Sequence, residues 1–160
     1  FLETILKPLG GGDGFRWEGY DDAWTELVDA SGTRRKIQSV PGGTHWGGGV
    51  SISARDQARV GQLALNGGAH NGEQLVPRAW INRMTQPCAI APFYGRLMWL
   101  NTDGTQFPGA SKQASFMVGA GGHYTWIEPA HDALVVVRWL DSTQAPNFMT
   151  RIAAALGAAA

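Results

Sequence analysis

The residues best placed to do chemistry are Gly119-Ala120-Gly121-Gly122 and the histidine that follows them, His123. Three glycines in four positions separate two strand-like runs. Before them Phe116 and Val118 alternate with smaller neighbours, and after them residues 124–127 are aromatic and β-branched. Glycine takes positive φ without steric cost, so the stretch suits a chain bend. It also lacks a Cβ, so it suits close approach of main-chain amides to a ligand at a sheet edge. The residues alone leave both uses open.

Other reactive side chains form no strong pattern. His45, His70, His123 and His131 show no His-x-x-x-His spacing, and Cys88 is the only cysteine. A structural zinc site is therefore not expected, and neither is a cofactor. No Gly-x-Ser-x-Gly elbow or phosphate loop is present. Asp56 and Arg59 read as helix capping and a surface pair. His45, followed by Trp46-Gly47-Gly48-Gly49, reads first as a loop histidine bonded to backbone.

The elements that position these residues are legible in outline. Residues 114–140 contain three strand-like runs with breaks at 119–122 and at Glu128-Pro129-Ala130-His131-Asp132, and they predict an antiparallel meander. The last run, 134–140, is almost continuously apolar, as in a strand buried on both faces. Residues 1–9 suggest a short helix ending near Pro8. Residues 10–49 form an irregular loop and hairpin region, with a polar hairpin tip at 29–36. Ser53 opens the clearest helix, which Asn66-Gly67-Gly68 stops. Asn71-Gly72 marks a tight turn. A second helix is expected over 77–85 with Trp80, Ile81 and Met84 inward, then a strand over 93–100 that includes Leu97, and a final helix over about 147–156. The expected class is α+β, an antiparallel sheet with helices packed on it.

Composition narrows the function classes. The 160 residues carry 13 Lys+Arg and 13 Asp+Glu, so zero formal charge gives no support to nucleic-acid binding. No apolar run approaches the ~18 residues of a membrane span. Charged residues are only 16%, with 22 Gly and 7 Trp, which suits large covered surfaces. Phe1 is not an initiator Met, so the native N-terminus is expected to be absent or processed.

Four segments in series resemble the C-terminal half of the penicillin-recognising serine hydrolases, the family of class C β-lactamases, D-alanyl-D-alanine peptidases and related esterases and amide hydrolases. They are residues 47–61, then 71–77, Tyr94-Gly95 before an aromatic strand, and 119–132. The resemblance implies that residues 1–160 are one C-terminal segment of a β-lactamase/transpeptidase-like domain. In that family Ser-x-x-Lys supplies nucleophile and base, Tyr-x-Asn or Ser-x-Asn a second proton-transfer group, and Lys-Thr-Gly or His-x-Gly a strand whose N–H helps form the oxyanion hole. Ser-x-x-Lys, Tyr-x-Asn, Ser-x-Asn and Lys-Thr-Gly do not occur here. The lysines Lys7, Lys36 and Lys112 are preceded at three residues by Thr4, Thr33 and Gly109, and the tyrosines are followed at two by Asp22, Arg96 and Trp126.

The resemblance thus implies a nucleophile on a missing N-terminal half of the same protein. This chain would contribute an oxyanion strand at Gly119, Ala120, Gly121 and Gly122, and cleft walls from His45, Trp46, Gly47 and His123. The implied substrate is a small-molecule amide or ester; without Lys-Thr-Gly, carboxylate-bearing β-lactams are disfavoured. The family is often periplasmic or secreted. The alternative is a catalytically inactive binding or structural domain, with 119–122 only a tight turn.

Overall fold

A computed structural model describes residues 1–17, 24–38 and 50–158. Two compact units make up the chain, Gly12–Ser53 and Phe1–Gly11 with Ala54–Ala160. The elements are helices and antiparallel strands, an α+β fold.

In the smaller unit β1 (Arg16–Trp17) pairs with a two-residue strand at Val50–Ser51, numbered β4, while β2 (Trp24–Val28) and β3 (Arg34–Gln38) form a hairpin. The hairpin tip is shorter than the sequence suggests, because Arg34, Arg35 and Lys36 join the ladder opposite Val28, Leu27 and Glu26. Asp29 closes it by accepting from the amides of Ser31 and Thr33, each at 3.0 Å. The Ser31 hydroxyl, with these amides, holds the Asp29 carboxyl below its usual range.

The larger unit is built on the meander. β8 (Ser115–Gly119), β9 (His123–Glu128) and β10 (Ala133–Val137) pair antiparallel in sequence, and β7 (Trp99–Leu100) adds to the outer side of β8, giving the order β10-β9-β8-β7. Side chains alternate across the sheet, so each strand feeds two layers. Phe116, Tyr124 and Trp126 face one way and meet Ala145 and Met149 of α3 (Ala145–Ala158). Phe107 stacks on Phe116 with centroids 3.7 Å apart, and Phe116 on Trp126 at 5.7 Å. The opposite face carries Thr125 and Leu134 under α1 (Ala54–Leu65). Gly61 lets α1 come this close: a Cβ there would stand 2.6 Å from Leu134 Cδ1 and 2.9 Å from Thr125 Cγ2.

Glu128 lies at the far end of β9, 1% exposed. Its carboxylate accepts from the Ser111 amide and hydroxyl, the Trp126 indole N–H and the Ala130 amide. It therefore ties the loop before β8 to the turn after β9. Replacing it with Gln puts an amide N–H among these donors and leaves some unpaired. We expect Glu128→Gln to lower unfolding free energy by about 2–3 kcal/mol, read from the urea midpoint at unchanged slope.

Several local expectations need correction. Residues 1–9 form one turn in π geometry, Leu2–Leu6, with Leu6 and Leu9 buried. β10 stops at Val137 and is half-buried along its length, because it is the edge of the four-stranded sheet rather than an interior strand. The strand expected over 93–100 is only Trp99–Leu100; Leu97 sits at φ +59° and is 83% exposed, in a turn closed by a bridge between Tyr94 and Trp99. In α2 (Arg78–Met84), Ile81 and Met84 are half-buried, but Trp80 is exposed. Cys88, the chain's single cysteine, is exposed. Asp56 is not at the surface: it is 3% exposed and pairs with Arg59 at 2.8 Å, and the bare Cα of Gly11 makes room for its carboxylate. β5 (Ala69–His70) and β6 (Glu73–Gln74) flank Asn71 and Gly72, both at positive φ, as their turn signal predicts.

Candidate active site

One end of the sheet gathers the C-terminus of β8, the glycine turn, the start of β9 and the segment after β10. β9 pairs with β8 up to Gly119 opposite His123. On the other side β7 pairs only with Ser115 and Phe116. Past Phe116 the outer edge of β8 has no ladder partner among the described residues.

Which amides lie on that edge follows from parity. Asn101 N donates to Ala114 O at 3.3 Å, just beyond the β7–β8 pairs. In an antiparallel ladder the groups of every second residue point the same way. Ala114, Phe116 and Val118 therefore turn their backbone toward the β7 side, and Ser115, Met117 and Gly119 toward β9. The outward N–H group of β8 beyond β7 is that of Val118, and Ala120 follows two residues on, in the turn. Val118, Gly119, Ala120 and Gly121 are all exposed.

The turn has its own geometric requirement for glycine. Gly121 and Gly122 have φ +87° and +79°. A Cβ on Gly122 would lie 1.8 Å from Leu140 O, inside the backbone. Leu140 N donates to Gly122 O at 3.1 Å, which fastens the turn to the segment after β10.

His123 sits half-buried beside this turn. Its ring meets Trp139 edge-on at 4.4 Å between centroids, and its Nδ1 is buried with no hydrogen-bond partner among the described residues. Trp139 is 79% exposed and holds φ +60°, an unusual conformation for a bulky residue. Behind the end of β10, Arg138 donates through Nε and Nη2 to Gln57 Oε1, at 3.0 and 2.7 Å, and Gln57 Nε2 donates to the buried Thr125 Oγ1 at 2.7 Å. This relay locks the first turn of α1 onto β9 and β10.

Of the residues singled out from the sequence, Gly119, Ala120, Gly121, Gly122 and His123 come together at this sheet end. His45, Trp46 and Gly47 lie outside the described residues. His131 ends an exposed 3-10 turn, Pro129–His131, at the other end of β9 from the glycine turn, and His70 lies in β5, in a separate two-stranded sheet. Sequence reasoning missed Trp139 and Arg138, because both fall in an apolar run that reads as one continuous strand. No group of three or more His, Cys, Asp or Glu among the described residues is placed to hold a metal ion. Among the same residues no helix is long and apolar enough to cross a membrane.

No protein-family model matches the chain. Over 102 residues it is 29% identical to a 6-aminohexanoate-dimer hydrolase of Paenarthrobacter ureafaciens, an alignment covering 56% of this chain and 24% of that protein. The chain thus spans about a quarter of the length of the curated relative it matches. This likeness supports the broad β-lactamase-like hydrolase family that the sequence motifs resemble.

Proposed function

We propose that this chain is the C-terminal part of a serine hydrolase that cleaves an amide or ester through an acyl-enzyme, with the nucleophile carried by polypeptide outside residues 1–160. The observation that carries the reading is the outer edge of β8, unpaired past Phe116 among the described residues, running into the glycine stretch Gly119–Gly122. In the proposed step an incoming serine hydroxyl adds to the substrate carbonyl carbon and gives its proton to a base on its own segment. The carbonyl oxygen becomes negative and accepts from outward main-chain N–H groups at the strand end Gly119–Gly122, with Ala120 the principal donor and Val118 beside it. Collapse of the adduct restores the carbonyl and expels the protonated amine or alcohol. Water then repeats the sequence on the acyl-enzyme and frees the acid.

Donors fixed in a folded sheet need no reorganisation as that charge develops, which is why such a site accelerates acyl transfer. His123, beside this strand end, is assigned to one wall of the site. The relative's name gives a dimer of an amino acid as what is hydrolysed, which favours an amide over an ester. The upstream reading frame tests the proposal. Ser-x-x-Lys and Tyr-x-Asn are expected within the preceding ~200 residues, about one further domain. Their absence would leave the binding-domain reading.

That second reading draws support from the turn itself. The positive φ of Gly121 and Gly122, and the collision a Cβ on Gly122 would make with Leu140, account for those two glycines without a ligand.

A further inference from the structure

At the opposite end of the same sheet is a second concavity. A cavity of about 210 Å³ opens between the end of α1, α2 and the sheet face that carries Ser115 and Ile127. Ser115 and Gly119 are four residues apart on β8, so it lies roughly 13 Å from the glycine turn along the strand.

Its floor is apolar and adaptable, with Met84, Met98 and Ile127. Methionines fill irregular space and repack around small ligands. Around this floor stand Arg78, Asn82, Gln113 and Ser115, and no carboxylate lines the cavity. Glu128 follows Ile127 directly, but it lies on the other face of β9 with Trp126, and four donors occupy its carboxylate.

Arg78 is the unusual member. Its guanidinium lies over the bare Cα of Gly67, where a Cβ would come within 2.3 Å of Nη1. Gly67 holds φ +65° as part of the stop after α1, so the same glycine ends the helix and admits the guanidinium. Arg78 makes no hydrogen bond or ion pair with any described residue. A planar cationic fork beside a cavity with an apolar floor, with amide and hydroxyl groups around it, matches a carboxylate joined to a short apolar body.

We propose that this cavity binds a small monocarboxylate, its carboxylate paired with Arg78 and its apolar part on Met84, Met98 and Ile127. The site stands apart from the hydrolytic reading and does not depend on it. Benzoate and its uncharged isostere benzamide are suitable probes, titrated into the 160-residue chain while backbone amide shifts are followed by NMR. Benzoate is expected to give saturable shifts at Ser115 and Ile127, with benzamide binding at least about tenfold more weakly, the worth of a charge-assisted pair. Arg78 is exposed, so Arg78→Met is expected to keep the wild-type melting temperature and to lose benzoate by a similar factor. Absence of saturable shifts, equal binding of benzamide, or benzoate binding undiminished in a folded Arg78→Met would each overturn the assignment.

Discussion

Trp126→Ala is expected to lower the stability of the chain by about 3–5 kcal/mol, the usual range for truncating a buried Trp. Trp126 is 1% exposed on the central strand β9. Its ring continues the stack that begins with Phe107 on Phe116, and this stack separates the sheet from α3. Its indole N–H is one of the four donors to Glu128, at 3.2 Å. Alanine opens a cavity against Phe116 and also deprives a buried carboxylate of a partner. A total stability of 5–15 kcal/mol leaves such a variant marginal. Trp126→Phe keeps most of the stack and loses only the N–H, so about 1 kcal/mol is expected. Denaturant melts of the two variants separate packing from hydrogen bonding; equal, small losses would show that the stack contributes little.

The second large effect concerns turnover. In the proposed longer hydrolase, Ala120→Pro is expected to lower kcat by about 10²–10³, the usual loss for one oxyanion donor. Proline removes the N–H. Ala120 is not among the residues held at positive φ, so the ring's fixed negative φ is compatible in sign. A donor that acts on developing charge is felt in kcat more than in KM. Gly119→Ala is the useful contrast. Its backbone faces β9 and φ is not positive, and a Cβ would stand 3.3 Å from that of His123, so only a modest loss is expected there. If Ala120→Pro left kcat intact, the oxyanion role of this edge would be gone.

Much of this architecture was legible in the residues. Strand periodicity interrupted by Gly119–Gly122 and by Pro129 gave the meander, because each break is a residue type that a ladder cannot absorb. Asn71-Gly72 and Asn66-Gly67-Gly68 marked a turn and a helix stop for the same reason. What stayed hidden depends on tertiary context. Leu97 and Trp139 take positive φ although nothing in their side chains favours it, so residues 93–100 and 134–140 read as longer strands than they form. Whether β10 is an edge or an interior strand depends on its neighbours, and its apolar composition says nothing of that. The burial of Asp56 depends on Gly11, far away in sequence. At the candidate site, the glycines pointed to the sheet end where Gly119–Gly122 and His123 come together. The parity that selects Val118 over Gly119 needed the Asn101–Ala114 hydrogen bond.

The most direct test of the account is labelling with a fluorophosphonate, which reacts stably with an activated serine. The account predicts no labelled serine and no serine-dependent turnover in residues 1–160 alone, and a labelled serine upstream of Phe1 in the longer protein. Stable labelling of any serine within residues 1–160 would contradict it.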